Sequence, residues 1–209
     1  MKKTDWSSYY SKPSKVAGLT RRVTEGILIR QLKKYYDIKQ TFQIQEMGGA
    51  NSCFLKGITC QFKKIDYCII DNCKTGLGLS NDRFGAMKHV TIKELDILQS
   101  KKFNKSEVVL STGLIEHFNK DDTALMIKKH FQAAKPSGLV IITYPTPTLM
   151  YKLTRKILEL LGLWQFHDER PLTKREVEDT AKHFGEVKYH QVNKFIPLTQ
   201  GVIVCVKNT

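Results

Sequence analysis

The chain has 209 residues, 41% of them hydrophobic, enough to bury the core of one ordinary domain without help from disulfides or metals. Its apolar runs are far shorter than the roughly 20 residues that cross a bilayer, and the start MKKTDWSSYY has no apolar signal-peptide core, so a cytoplasmic protein is expected. The formal net charge of +14 is uneven: residues 1–40 carry ten Lys or Arg against three acids, a bias that suits RNA, an anionic membrane surface, an acidic substrate or simply a solvated helix face.

From Val16 to Tyr36, apolar Val16, Leu19, Val23, Ile27 and Leu32 recur at roughly helical spacing among Arg21, Arg22, Arg30, Lys33 and Lys34. This predicts a basic amphipathic helix, so that residues 1–40 form a helical cover ahead of a core spanning 41–209. No repeat, low-complexity tract or Pro/Gly/Ser linker divides the chain, and 1–209 is read as a single domain. Strand-like and helix-like pieces then alternate: FQIQEM, a helix near Ser52 to Phe62, DYCIID, a short helix from Gly76 to Phe84, and HVTI. EVVLST, a helix from Asp121 to Ala134 with acids at its start, and GLVIITY after the breaker Lys135-Pro136-Ser137-Gly138 continue the series. Such alternation implies a parallel sheet with crossover helices.

After Tyr144 the pattern changes to a Pro-rich turn, an amphipathic helix from Leu149 to Trp164, a helix from Thr173 to Phe184, and the strands EVKYHQV and GVIVCVK. The connection Asn193 to Gln200 is too short for a helical crossover, so these strands should pair antiparallel. The fold class is therefore α/β: a three-layer, Rossmann-like sheet, mostly parallel with its last strand antiparallel, behind an N-terminal helical segment. Cys53, Cys60, Cys68, Cys73 and Cys205 include no C-x-x-C pair and are read as reduced, buried thiols with no metal.

The stretch Thr41 to Phe54, TFQIQEMGGANSCF, ends an apolar strand in an acid and a glycine pair, the form of a nucleotide-binding turn. Asp71 and Asn72 end the second strand, Asp96 and Ile97 follow the third, and STGLIEHF follows the fourth. Together these segments resemble the class I S-adenosylmethionine-dependent methyltransferases (type 11/type 12-like) over residues 40–207. In that family the first strand ends E-x-G-x-G-x-G, and here Glu46-Met47-Gly48-Gly49-Ala50-Asn51-Ser52 stands there, with Ala50 and Ser52 in place of two glycines.

The resemblance implies seven strands and S-adenosylmethionine as cofactor, leaving S-adenosylhomocysteine as product. It would be held by Glu46, Gly48, Gly49, Ala50 and Asn51 of the first turn. Asp71 and Asn72 would meet the ribose, Asp96 and Ile97 the adenine, and Ser111, Thr112, Gly113 and His117 the methionine end. Positioning dominates such a methyl transfer, and a hydroxyl acceptor would also use a general base. His117, Tyr144 and His167 are the catalytic candidates by location, with Asp168 and Glu169 beside them.

The acceptor is read from what surrounds the turn. STGL replaces the D/N-P-P-Y segment of adenine methylation, and no cysteine lies where cytosine C5 methylation needs one. Tyr9, Tyr10, Tyr144, Trp164 and His167 are candidate substrate contacts, with 145–172 a lid-like insertion. Its helix could close over an apolar acceptor, rest on a membrane surface, or simply pack on the sheet. The preferred reading is methyl transfer at O or N of a small-molecule or saccharide- or lipid-linked acceptor. An RNA methyltransferase using the basic N-terminus is the alternative, followed by an NAD-dependent oxidoreductase and a non-catalytic binding module.

Overall fold

The structure, a computed structural model, describes residues 3–11, 18–194 and 201–209, with the side chains of 18–20 left out. Val16, the side chain of Leu19 and most of the 193–200 connection therefore lie outside the described residues. Two helices come first, α1 (Trp6–Ser11) and α2 (Gly18–Tyr35), followed by β1 (Phe42–Met47), α3 (Leu55–Gln61), β2 (Ile65–Asp71), α4 (Lys74–Phe84) and β3 (Val90–Glu94). Next are β4 (Ser106–Thr112), a 3-10 turn at Ile115–His117, α5 (Lys120–Ala133) and β5 (Ala134–Tyr144). The chain closes with α6 (Leu149–Leu160), α7 (Lys174–Ala181), β6 (Gly185–Val192) and β7 (Gly201–Lys207).

The strands form one seven-stranded sheet in the order β3-β2-β1-β4-β5-β7-β6. β1 to β5 pair in parallel, and β7 runs antiparallel to both β5 and β6. Alternating side chains of the central strands face two separate cores, as a doubly covered sheet requires. Ile44, Val108 and Ile141 meet Leu28, Leu55 and Ile58 on one face; Val109, Val140 and Ile142 meet Ile127, Phe131 and Val177 on the other. Asn119 caps α5 by accepting from Asp122 N at 2.9 Å, and Asp121 and Asp122 complement the helix dipole in the first turn.

Several expectations are corrected. The buried face of α2 is Thr24, Leu28, Gln31 and Leu32, while Val23 is exposed. Lys135 to Gly138 do not separate α5 from its strand: β5 starts at Ala134, paired with Ser106, and the next pairing is Val108 with Leu139, so the four residues form a bulge with Ser137 at φ 57°. The helix expected to reach Trp164 stops at Leu160, where Gly162 at φ 65° turns the chain. Cys53 and Cys60 are exposed rather than buried, and all five thiols are free.

Candidate active site

In a parallel sheet a crevice opens where neighbouring strands send their connections in opposite directions. Here that point lies between β1 and β4, and a cavity of about 960 Å³ occupies it. The loop after β1 makes one wall. Gly48 turns at φ 71°, and a Cβ on Gly49 would stand 2.6 Å from the Glu46 carboxyl carbon, so the acid and the turn are packed together. Glu46 is almost fully buried and accepts from Tyr67 Oη at 3.0 Å. Burial pushes its carboxyl up to about 7, against hydrogen bonds from Ser52 and Tyr67 that favour the ion.

The two positions without family glycines are accommodated by α4. Gly76 faces Ala50: a Cβ at 76 would stand 2.6 Å from Ala50 Cβ and 2.9 Å from the Tyr10 ring. A glycine one helix away thus makes the room that a glycine in the turn would have made. Ser80 accepts from Ser52 N at 3.1 Å and donates to Ala50 O at 2.7 Å, and Arg83 donates to Ser52 O at 2.8 Å. Asp71 completes the wall, accepting from Ala50 N at 3.1 Å and Cys73 N at 2.8 Å; burial nevertheless raises its carboxyl above the ordinary range.

The opposite wall follows β4 and β5. His117 Nδ1 lies 3.0 Å from Asp168 Oδ1, and Thr4 donates to the same carboxylate from its backbone N at 3.0 Å and from its hydroxyl. Burial raises the Asp168 carboxyl, but the bonds from Thr4 and His117 outweigh it and hold the group below its ordinary value. Burial lowers the His117 imidazole, against the raising effect of Asp168. With Nδ1–H given to Asp168, the neutral ring presents its Nε2 lone pair to Glu116, whose Oε1 is 4.0 Å away.

Glu116 is 2% exposed and its Oε2 has no hydrogen-bond partner. Burial and nearby Glu169 drive its carboxyl well above the usual range, and burial pushes Glu169 up to about 7 although Tyr151 Oη donates to it at 2.6 Å. One ligand atom each from Glu116, His117 and Glu169 lie within 4.8 Å of one another, so the group could hold a cation, either a metal ion or an ammonium. Aromatic rings from the N-terminal helix and from the loop after α6 roof this end. The Trp6 centroid is 4.8 Å from His117 and 6.0 Å from Phe166, and Tyr9 is 5.2 Å from Phe166.

Of the residues expected from the sequence, Glu46, Gly48, Gly49, Asn51, Asp71, Asn72, Asp96, Ile97, Thr112, Gly113 and His117 line the cavity, as do Tyr9, Tyr10 and Trp164. Ala50 lies beneath the turn, and Ser111 is wholly buried in β4. Tyr144 and His167 do not line it. The Tyr144 ring is buried with its Oη 2.5 Å from His190 Nε2, pointing toward the antiparallel strands, and His167 is exposed. Of the 145–172 insertion, expected to act as a lid, the loop lines the cavity with Trp164, Phe166 and Asp168 to Arg170, and no α6 side chain reaches it. Among the described side chains of α2, Arg21 and Thr24 line it, while Arg22, Arg30, Lys33 and Lys34 are exposed elsewhere.

Glu116, Thr4 and Phe166 were not singled out by sequence reasoning. Glu116 offered a signal, an acid beside a histidine in a strand-to-helix turn. Thr4 and Phe166 offered none, because their role comes from chain segments 164 residues apart meeting at Asp168.

No protein-family model matches the chain, and no curated protein matches it by sequence. Solved structures do share its architecture. Magnesium protoporphyrin IX methyltransferase of Synechocystis, with bound S-adenosylhomocysteine, aligns with a TM-score of 0.71 at 12% identity over 94% of this chain and 89% of that one. The N-methyltransferase NodS of Bradyrhizobium japonicum, in complex with the same compound, gives 0.64 at 12% identity over 90% and 86%. An O-methyltransferase family protein of Burkholderia thailandensis gives 0.63 at 10% identity over 90% and 59%. The seven-stranded sheet with its reversed β7 is thus the class I methyltransferase fold.

Proposed function

We propose that this chain transfers the methyl group of S-adenosylmethionine to O or N of a small-molecule acceptor. The observation that carries this reading is the single wall made by Glu46, Gly48 and Asp71 at the β1–β4 switch point, where Asp71 accepts from the turn itself at 3.1 Å. Two structures of the same fold hold S-adenosylhomocysteine, which supports the choice of ligand.

When bound, S-adenosylmethionine supplies a methyl group already activated by its sulfonium. The residues present fit it. Glu46 is a buried carboxyl that accepts from a hydroxyl and feels the Arg83 charge only weakly against its burial, and an ammonium would favour its ionised form. Asp71 and Asn72, which line the cavity, would accept from the ribose hydroxyls, and Asp96, Ile97 and Leu98, which also line it, would flank the purine. Thr112, Gly113 and His117 close the far end.

On the acceptor side, His117 is the general base of the proposal. Asp168 holds its tautomer, so that Nε2 can take a proton from an attacking O–H or N–H group. The buried Glu116 and half-buried Glu169 are acids that an amine or polyol would satisfy, and Trp6, Tyr9, Trp164 and Phe166 offer apolar surface to the rest of the acceptor. Of the described basic residues of the N-terminal segment, Lys3 and Arg21 line the cavity, while the exposed Arg22, Arg30, Lys33 and Lys34 lie off it.

Isothermal titration with S-adenosylmethionine, S-adenosylhomocysteine and NADH tests this. Both sulfur ligands should bind, NADH should not, and Asp71→Ala should weaken binding by about tenfold or more, as expected when hydrogen bonds to a charged group are lost. Binding of NADH alone would replace the proposal with a nicotinamide enzyme.

A further inference from the structure

α6 is mounted with its polar side inward. Tyr151 is buried and donates to Glu169 at 2.6 Å; Arg155 donates to Tyr151 Oη at 3.1 Å and to Glu169 O at 2.9 Å, with its guanidinium 5.0 Å from the Trp164 ring centroid. Those contacts turn the apolar stripe to solvent. Leu149 is 87% exposed, Leu153 58%, Leu160 78% and Leu161 64%, with Ile157 and Leu163 exposed beside them. At about 100° per residue, Leu149, Leu153, Ile157 and Leu160 fall within about a quarter-turn of one another. Exposed Lys152 and Lys156 border one edge of that arc.

A stripe of this kind is unusual on a surface in contact only with water. We propose that α6 docks on the surface of an anionic lipid bilayer, lying in the plane of the interface with its leucine face in the acyl boundary and Lys152 and Lys156 at the headgroups. The helix has 12 residues, about 18 Å, and among the described residues no helix is long and apolar enough to cross a membrane, so it lies on the bilayer rather than spanning it. Charge selects this occupant over a second copy of the chain: each copy carries +14, which repels its like and attracts anionic lipid. The loop that leaves α6 carries Trp164 and Phe166 into the cavity wall, so docking sets the cavity rim beside the headgroup layer. An acceptor held in the membrane would then reach His117 without leaving it; this last step alone rests on the methyl-transfer reading.

The test is co-sedimentation of the full chain with vesicles of phosphatidylglycerol and phosphatidylcholine, against vesicles of phosphatidylcholine alone, with analytical ultracentrifugation of the free protein. The wild type should pellet with the anionic vesicles. Leu153→Glu/Leu160→Glu should lower the bound fraction at a given lipid concentration about tenfold or more, while Lys152→Glu/Lys156→Glu should weaken binding and its dependence on salt. Both pairs are exposed, so the thermal midpoint should hold, and a collapsed midpoint would itself contradict the orientation of α6. Equal binding by the leucine variant would show adsorption by charge alone and overturn the proposal. So would absent vesicle binding together with a dimer that the same variant splits, which would make the stripe a contact between copies. Titration of S-adenosylhomocysteine into both variants separates the two proposals, since vesicle binding without cofactor binding would sink only the catalytic one.

Discussion

Glu46→Gln should stabilise the free protein while weakening its hold on the proposed cofactor. In the folded chain the Glu46 carboxyl is pushed from 4.5 to about 7 because burial outweighs the hydrogen bonds from Ser52 and Tyr67 and the charge of Arg83. A carboxyl whose folded value is raised favours folding most when protonated, so its contribution is complete below 4.5 and is lost as pH climbs through about 7. The gap between the two values corresponds to about 3 kcal/mol, fully developed by pH 8. Glutamine keeps an acceptor for Tyr67 Oη and places its amide beside Ser52, so imperfect replacement should return about 1 kcal/mol of the gain. The variant should therefore be more stable by about 2 kcal/mol at pH 8, a rise of about 4–8 °C in thermal midpoint for a chain of this length, and slightly less stable than the wild type at pH 4.5, where the cost of the replacement outweighs the remaining gain. Urea unfolding at intervals from pH 4.5 to 8 measures this directly, and comparing the two proteins removes the parallel contribution of Glu169. Stability curves that stay parallel across that range would refute the reasoning, since they would mean that Glu46 ionises at no cost in the fold. Affinity for S-adenosylmethionine should move the opposite way, falling about tenfold or more at pH 8 as the charge facing its ammonium is removed.

Gly76→Ala should cost about 1–3 kcal/mol by overpacking against Ala50, and Ala50→Gly on the same background should recover part of it, the remainder being the displaced Tyr10 ring; a double-mutant cycle in urea reads the coupling. Tyr144→Phe should leave S-adenosylhomocysteine affinity unchanged within about twofold while costing about 1 kcal/mol of stability, because its hydroxyl faces His190 rather than the cavity. Asp168→Asn removes the group that raises the His117 pKa, so the imidazole should stay neutral to a lower pH than in the wild type, as NMR titration of its ring nitrogens would record.

The strand series was legible because a sheet covered on both faces writes itself as short apolar runs, and FQIQEM, DYCIID, EVVLST and GVIVCVK all pair where the alternation placed them. Asp71, Asp96 and His117, expected from the family resemblance, line one cavity because strand ends in a parallel sheet converge at one edge, so positions far apart in sequence are neighbours by topology. Tyr144 obeyed the same rule and still lies off the cavity. It is the last residue of β5, paired with Gly201 of β7, where a Cβ would meet the Tyr144 ring at 2.5 Å. The ring lies over that glycine toward His190 on β6, and which of a strand's two faces a terminal residue takes depends on partners that have no local signature.

The helix after β5 separates what periodicity contains from what it omits. Spacing established that Leu149, Leu153, Ile157 and Leu160 share a face, and packing of that face on the sheet was the ordinary expectation. Its direction was set instead by Tyr151 and Arg155, two residues that look like the solvent side of an amphipathic helix until Glu169 is placed beneath them. Glu169 is half-buried and pushed up to about 7, with the Tyr151 hydroxyl as its donor and the Arg155 guanidinium as a charge that favours its ion. Satisfying a half-buried acid of the candidate acceptor site and presenting leucines to the outside are thus one arrangement of one helix. Losing the Tyr151 contact would free Glu169 and release the constraint that holds the leucine stripe outward. The chemistry of the cavity and the apolar surface are coupled through two side chains whose sequence spacing gave no hint of either.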